Sequence, residues 1–246
     1  MIRAYIFLFL IVTANSACSE EEETFSSPEV STPASSLINN VSISGKTFSY
    51  LALGDSYTIG QGVEEEDNWP NQLKGQLLSK TVSLSPVHII AKTGWTTNAL
   101  LKAIEKQDPN QFDLVSLMIG VNNQFQNISF SQFETEFEVL LSTAIDLAGG
   151  EERVFVLSIP DYSVTKYSTS NPVKIAQEIN NYNRYIEQRC NERKVKFIDI
   201  TIISRSLGQA SNALADDGLH PSKTQYAKWV TNMLSDVINL LEKRSS

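Results

Sequence analysis

The chain has 246 residues, of which 28 are Asp or Glu, 20 are Lys or Arg, 2 are His and 2 are Cys, and its formal net charge is −8. An acidic chain without a basic cluster is not expected to bind nucleic acid. The two histidines are far apart and no metal-ligand spacing surrounds them. We therefore expect no metal site and no cofactor.

The N-terminus has the pattern of a signal peptide that ends at residue 17. Arg3 precedes an apolar stretch over residues 4–14, which is too short to span a hydrocarbon core of about 30 Å. Cys18 comes directly after Ala17, and this junction resembles a bacterial lipoprotein cleavage site, although Asn15 stands where an aliphatic residue is usual. We expect Cys18 to be lipidated and the membrane to be a partner through that anchor. Plain secretion with an incidental cysteine is the alternative.

Residues 18–46 are predicted to hold the lipidated cysteine and a flexible linker. An acidic run over residues 19–23 resembles the surface-export signal of Bacteroidetes lipoproteins, and a solvated acidic tether is the other interpretation. Residues 24–40 are rich in Ser, Pro and Thr and lack apolar periodicity, which is typical of a flexible linker. We expect an exported, membrane-anchored protein at the outer membrane, and its exposure at the cell surface stays open.

Residues 47–246 are predicted to form one domain in which strands alternate with helices. The predicted strands cover residues 48–53, 87–91, 114–119, 154–159 and 195–200, and the predicted helices cover residues 69–79, 98–106, 130–148, 172–193 and 221–243. Such alternation is typical of parallel βαβ units. We expect an α/β fold, a three-layer α/β/α sandwich around a five-stranded, mainly parallel sheet. The loops after its strands would meet at one edge.

Ser56 follows the first predicted strand directly, within Gly54-Asp55-Ser56, and it is the candidate nucleophile. A serine hydroxyl reacts only when a neighbouring base takes its proton, and the base is usually histidine. His88 lies in an apolar run that predicts a strand, where a histidine is more often a core or edge residue. His220 lies in a polar turn before the last helix and is the candidate base.

Asp217 precedes His220 by three residues, so the two can share one turn. Its carboxylate can then reach Nδ1 of the imidazole, fix the tautomer and stabilise the imidazolium. The alternative is that Asp217 only caps a helix that begins near Pro221.

Acyl transfer also needs hydrogen-bond donors for the developing oxyanion. Gly94, after the second predicted strand, offers a backbone N–H, and Asn122, after the third, offers a side-chain amide. Each residue also has an ordinary explanation, as a turn glycine and as a loop asparagine.

Together these residues resemble the four sequence blocks of the SGNH hydrolases, also called GDSL esterases and lipases. The resemblance covers about 200 residues and implies an SGNH, flavodoxin-like fold with Ser56, Asp217 and His220 as the catalytic triad. It also implies that the Ser56 N–H, the Gly94 N–H and the Asn122 amide form the oxyanion hole. One position departs from the family pattern, because Asn123 stands where block three usually has Asp. Thr58 occupies the second glycine position of the Gly-x-Ser-x-Gly elbow, which argues against an α/β-hydrolase fold.

The resemblance implies a serine ester hydrolase that cleaves carboxylic esters through an acyl-enzyme on Ser56. The expected substrate is a small acyl or acetyl ester, carried by a small molecule, a glycan or a lipid. Two alternatives stay open: a thioesterase or lysophospholipase, and a surface lipoprotein that binds glycan or protein without catalysis. The sequence makes no prediction about the oligomeric state.

Overall fold

A parallel five-stranded sheet lies at the centre of the structure, a computed structural model that describes residues 43–168 and 171–244. The strands are β1 (Thr47–Gly54), β2 (Ser83–Ala91), β3 (Leu114–Met118), β4 (Val154–Leu157) and β5 (Lys196–Ile198). Their order is β2-β1-β3-β4-β5, and every neighbouring pair is parallel. The predicted α/β fold with a parallel sheet is confirmed.

Eight α-helices accompany the sheet in the described part of the chain. They are α1 (Ser56–Ile59), α2 (Trp69–Leu78), α3 (Thr97–Gln107), α4 (Val121–Phe125), α5 (Phe130–Ala148), α6 (Pro172–Glu192), α7 (Thr201–Leu207) and α8 (Lys223–Arg244). Every residue of β3 and of β4 is buried. This is the pattern of a parallel sheet whose two faces are both covered by helices.

Helix α5 spans the predicted residues 130–148. Ser129 caps its start by accepting a hydrogen bond from the N–H of Gln132 at 3.3 Å. Gly149 ends it in the left-handed conformation, with φ of 71°, which costs glycine little. The buried face includes Phe133 and Phe137, as the helical spacing predicts.

The last helix begins later than predicted, at Lys223 instead of residue 221. Ser222 caps it, because its hydroxyl accepts from the N–H of Gln225 at 3.3 Å. Pro221 instead forms an antiparallel bridge with Leu214. The chain between them therefore makes a short hairpin-like loop, and that loop carries Asp217 and His220.

Other differences from the prediction concern element ends and short helices. Strand β2 begins at Ser83, four residues before its predicted start, whereas β4 and β5 end two residues early. The short helices α1, α4 and α7 were not predicted. Helices of four to seven residues contain too few turns for a 3.6-residue period to be visible.

Among residues 43–168 and 171–244, no helix is both long and apolar enough to cross a membrane. The predicted signal peptide, Cys18 and the linker up to residue 42 lie outside the described residues.

Candidate active site

Three strands end level with one another at the edge of the sheet that carries the predicted residues. Gly54, the last residue of β1, pairs in register with Ala91 of β2 and with Met118 of β3. Strand β1 has β2 on one side and β3 on the other, so the direction of chain progression reverses there. In open α/β sheets this reversal creates a crevice at the carboxyl ends of the strands, where ligands bind.

Ser56 is the first residue of helix α1 and is 4% exposed. Asp55 caps this short helix, since its Oδ1 accepts a hydrogen bond from the N–H of Tyr57 at 3.0 Å. The N–H of a first helical residue has no acceptor within its own helix. The Ser56 N–H is therefore available to a ligand at the sheet edge.

Gly54 and Thr58 pack closely where β1 turns into α1. A Cβ atom at position 54 would lie 2.1 Å from Thr58 Oγ1 and 2.7 Å from the Met118 carbonyl oxygen. Thr58 itself is fully buried. The close approach of strand and helix therefore depends on the glycine before Asp55, which differs from an elbow that needs a glycine after the serine.

Asp217 uses both carboxylate oxygens within the loop that it shares with His220. Oδ1 accepts from the backbone N–H of Leu219 at 2.8 Å and of His220 at 3.0 Å. Oδ2 accepts from Nδ1 of His220 at 2.6 Å. Because a carboxylate only accepts, the proton lies on Nδ1, and Nε2 is the nitrogen that can act as a base.

The same contacts decide the ionisation of Asp217. Partial burial alone would raise the pKa of this carboxyl, but the hydrogen bonds from the His220 ring and from the two backbone N–H groups lower it below its ordinary value. The alternative in which Asp217 caps the last helix is wrong, since Ser222 fills that position.

His220 lies beside the residue that follows the candidate nucleophile. Its ring meets the ring of Tyr57 edge to face, with 5.6 Å between the centroids, and it is buried. A Cβ at Gly62 would lie 3.6 Å from Asp217 Oδ2, so the loop after α1 covers the Asp217 side. The structure thus brings the loop of Asp217 and His220 against the segment that begins with Ser56.

His88 lies on the edge strand β2, exposed to solvent, as its interpretation as an edge residue predicted. It pairs in register with Leu51, three residues before the end of β1, which is about 10 Å along a strand. Its Nε2 lies 3.2 Å from Gln107 Oε1, and its ring stacks on Phe112. These contacts keep its ring on the flank of the sheet, away from the carboxyl ends.

Gly94, in the loop after β2, and Asn122, in helix α4, lie in two segments that are hydrogen-bonded to each other. Asn122 Nδ2 donates to the carbonyl of Trp95 at 2.9 Å, and Gln126 Nε2 donates to the carbonyl of Gly94 at 3.0 Å. A primary amide has two N–H bonds, so Asn122 keeps one for a ligand. Gly94 has φ of +82° and no atom within 4 Å of a Cβ position, so it is a turn glycine that also faces open space.

Asn123, the departure from the family pattern, is fully buried. Its Oδ1 accepts from the N–H of Thr97 at 3.0 Å, and its Nδ2 donates to Thr97 Oγ1 at 2.6 Å. Sequence reasoning missed Thr97 and Gln126 as partners of this region. No local sequence signal identifies them. Thr97 and its partner Asn123, like Gln126 and its partner Gly94, are separated along the chain by α3 and β3 and meet only in the folded protein.

Asp55 is a buried carboxyl directly before the candidate nucleophile. Burial raises its pKa to about 7, against the opposing hydrogen bond from the Tyr57 N–H. Asp161, after β4, is also buried but has a structural role, because Oδ2 accepts from Arg205 Nε at 2.7 Å and Oδ1 from the Ser163 N–H at 2.8 Å. Within the described ranges no group of three or more His, Cys, Asp or Glu side chains could hold a metal ion.

Solved structures share this fold. A lipase/acylhydrolase from Enterococcus faecalis superposes with a TM-score of 0.60 at 19% identity, covering 78% of this chain and 95% of that one. An acetylxylan esterase from Geobacillus stearothermophilus superposes with a TM-score of 0.57 at 18% identity, covering 79% and 95%. At such identities the likeness shows the fold alone.

Sequence comparison points the same way. The chain is 24% identical over 199 residues to the spore germination lipase LipC of Bacillus licheniformis, covering 73% of this chain and 92% of that protein. The sequence profile of the GDSL-like Lipase/Acylhydrolase family matches residues 52–228, well over half of the chain. The protein therefore belongs to the GDSL-like lipase/acylhydrolase, or SGNH, family of hydrolases.

Proposed function

We propose that the protein is a serine ester hydrolase that cleaves carboxylic esters through an acyl-enzyme on Ser56. The observation that carries the proposal is the oriented base: His220 binds Asp217 Oδ2 through Nδ1 at 2.6 Å and packs against Tyr57, the neighbour of Ser56. A protein that only binds glycan or protein does not need an imidazole held in one tautomer beside a serine.

In the proposed reaction Ser56 Oγ attacks the ester carbonyl and His220 Nε2 takes its proton. Asp217 stabilises the imidazolium, and the oxyanion accepts hydrogen bonds from the N–H groups of Ser56 and Gly94 and from the Asn122 amide. The imidazolium returns the proton to the departing alcohol. Water, deprotonated by His220, then attacks the acyl-enzyme. The bond between the acyl carbon and Ser56 Oγ breaks, the imidazolium returns its proton to Ser56 Oγ, and the carboxylic acid leaves.

A groove of about 590 Å³ beside the site supports a carbohydrate as the alcohol half of the ester. Its lining includes Gln124, two residues after Asn122, and the partly buried aromatic side chains of Phe130 and Tyr185. Aromatic faces pack against the C–H faces of sugar rings, and amides bind hydroxyl groups. The groove does not include Ser56 in its lining, so it suits the alcohol half and not the reacting acyl group. The acetylxylan esterase with the same fold acts on such an ester, as its name states.

The decisive experiment compares Ser56→Ala with the wild-type protein on a small aryl ester. We expect turnover to fall by roughly 10⁴-fold or more, because the acyl-enzyme cannot form. Ser131→Ala, an exposed serine on α5, is the matched control and should leave turnover unchanged. A fluorophosphonate probe should add its mass to Ser56. Near-normal turnover in folded Ser56→Ala protein would disprove the assignment.

The substrate is tested separately with a panel of esters that share the same assay conditions. It contains acetyl, butyryl and longer acyl esters, acetylated polysaccharide, acyl thioesters and lysophospholipid. We expect the highest kcat/KM on acetylated polysaccharide. A preference for thioesters or lysophospholipid would leave Ser56 as the nucleophile and replace the proposed substrate class.

We propose further that Cys18 carries a lipid that anchors the hydrolase to the outer membrane. The proposal rests on the signal-peptide pattern, the position of Cys18 and the Ser/Pro-rich stretch that separates it from the domain.

A further inference from the structure

A chain of side-chain hydrogen bonds joins Glu136 on α5 to Asn123 on α4 through Thr97 at the start of α3. The Thr97 hydroxyl donates to Glu136 Oε2, and the same hydroxyl oxygen accepts from Asn123 Nδ2 at 2.6 Å. The Thr97 N–H donates to Asn123 Oδ1 at 3.0 Å. Thr97 and Asn123 are both fully buried, so water cannot replace either partner.

The direction of every bond in this chain is fixed by its chemistry. A backbone N–H can only donate, so the amide oxygen of Asn123 must face the Thr97 N–H and the amide nitrogen must face the Thr97 hydroxyl. That hydroxyl has one proton, which it donates to Glu136. Glu136 Oε1 accepts from Gln132 Nε2 at 2.8 Å and from Asn98 Nδ2 at 3.2 Å, so the carboxylate of Glu136 accepts from each of these partners and from Thr97.

Glu136 explains why position 123 holds an amide where the family pattern has a carboxylate. An aspartate at 123 could only accept, and it would compete with Glu136 for the single hydroxyl proton of Thr97. One of the two carboxylates would then face a hydroxyl lone pair inside the protein, which is costly. The residues at 123 and 136 are therefore matched in polarity.

The Asn123–Thr97 pair is the buried member of three amide contacts that hold α4 and Gln126, the residue after it, against the segment 94–97. The other two are the bonds from Asn122 to the Trp95 carbonyl and from Gln126 to the Gly94 carbonyl. This segment and α4 carry two of the three proposed oxyanion donors, the Gly94 N–H and the Asn122 amide. Their separation therefore depends on the contacts between the two elements.

We propose that Asn123 and Glu136 are a matched pair of positioning residues that fixes the Gly94 N–H and the Asn122 amide at the spacing an oxyanion needs. This inference rests on the proposed esterase function. Donors set for a transition-state oxyanion act on kcat more than on KM. An exchange that puts the carboxylate at position 123 and the amide at position 136 should preserve the hydrogen bonds through Thr97. A carboxylate at position 123 opposite Glu136 should not.

The experiment is a double-mutant cycle with Asn123→Asp, Glu136→Gln and the double variant, assayed on a small aryl ester. We expect Asn123→Asp to lower kcat by roughly 10-fold to 100-fold with KM nearly unchanged. Glu136→Gln alone still accepts the Thr97 proton and should cost roughly 3-fold or less. In the double variant Thr97 donates to Asp and accepts from Gln, so kcat should return to within roughly 5-fold of wild type.

Asn110→Asp is the matched control, because it makes the same amide-to-carboxylate change as Asn123→Asp at an exposed position between α3 and β3. It should change kcat by roughly 2-fold or less. A double variant as slow as Asn123→Asp would overturn the proposal, as would an Asn123→Asp protein that turns over normally.

Urea unfolding of the same four proteins separates this inference from the proposed function, since it needs no activity. Coupling between the two substitutions in unfolding, without any coupling in kcat, would show a structural pair only and would also overturn the positioning role. If Ser56→Ala keeps its activity, the esterase assignment fails while the unfolding cycle still reports on the hydrogen-bond chain.

Discussion

Asp217 has two separate tasks, one for each carboxylate oxygen. Oδ1 holds the backbone of the loop through the N–H groups of Leu219 and His220, and Oδ2 holds the His220 ring. Substitutions that keep the first task and change the second can therefore separate folding from catalysis.

Asp217→Asn keeps an acceptor for the two backbone N–H groups but places an amide N–H against His220 Nδ1. The imidazole must then accept at Nδ1 and hold its proton on Nε2, so it cannot take the proton of Ser56. We expect kcat/KM on an aryl ester to fall by roughly 10³-fold to 10⁴-fold in protein with wild-type circular dichroism. Asp216→Asn, its exposed neighbour, is the control and should be active. A loss below roughly 10-fold would contradict the role of Asp217.

Asp55 adds a pH dependence to stability, because burial raises its pKa to about 7. Between about pH 4 and about pH 7 the folded carboxyl keeps a proton that the unfolded chain has lost, so the free energy of unfolding falls as pH rises through this window. Asp55→Asn removes this term while its amide oxygen can still cap the Tyr57 N–H. One pKa unit corresponds to about 1.4 kcal/mol. Between about pH 4 and about pH 8, the free energy of unfolding of the variant should therefore rise relative to that of wild type by at most about 4 kcal/mol.

Urea unfolding at the two pH values measures this gain, with Asp108→Asn at an exposed helix end as the control. If the free energy of unfolding changes with pH by the same amount in Asp55→Asn and in wild type, burial does not raise the pKa of Asp55 in the folded protein.

At the scale of elements, the junction of β1 and α1 is the most constrained part of the site. Gly54 approaches the side chain of Thr58 and the backbone of Met118 within distances that a Cβ cannot occupy. Movement of either partner would displace Ser56, because α1 begins with it.

Gly54→Ala should therefore lower the free energy of unfolding by at least about 2 kcal/mol and reduce esterase activity in the protein that still folds. Gly75→Ala is the matched control, since this glycine lies inside α2 with no atom within 4 Å of a Cβ position. There alanine should raise the free energy of unfolding by about 0.5–1 kcal/mol. Urea midpoints measure both effects. Equal stability of Gly54→Ala and wild type would mean that the junction is more adaptable than its distances indicate.

For the whole molecule, the proposed anchor predicts where the hydrolase is found. Cys18→Ser should release the protein from the membrane fraction when it is expressed in a host that processes bacterial lipoproteins. Its kcat on a soluble aryl ester should be unchanged, because Cys18 is far along the chain from the residues of the proposed triad. Fractionation measures whether the protein is in the membrane or soluble, and fatty-acid labelling measures whether it carries the lipid. Labelled Cys18→Ser protein, or wild-type protein that is soluble and unlabelled, would count against the anchor.

Much of the architecture could be predicted because it is encoded locally. The buried apolar runs of β1, β3 and β4 and the periodicity of α5 identify their elements within one or two residues. The candidate triad residues could also be named, since only two histidines exist and only His220 has an acid at hydrogen-bonding spacing. The start of α8 was predicted two residues too early, because Pro221 belongs to the bridge with Leu214 and Ser222 is the cap.

The sequence by itself determined the fold class, the family and the residues proposed for catalysis, because apolar periodicity and short motifs are properties of neighbouring residues. Only the tertiary structure decided that Asp217 binds His220 instead of capping α8, and that Thr97 forms hydrogen bonds with both Asn123 and Glu136. The contact between Asp217 and His220 lies within one loop, whereas Thr97, Asn123 and Glu136 lie on three different helices. Their hydrogen-bond polarity depends on which donors and acceptors the folded sheet edge brings together, and no local pattern in the chain records that.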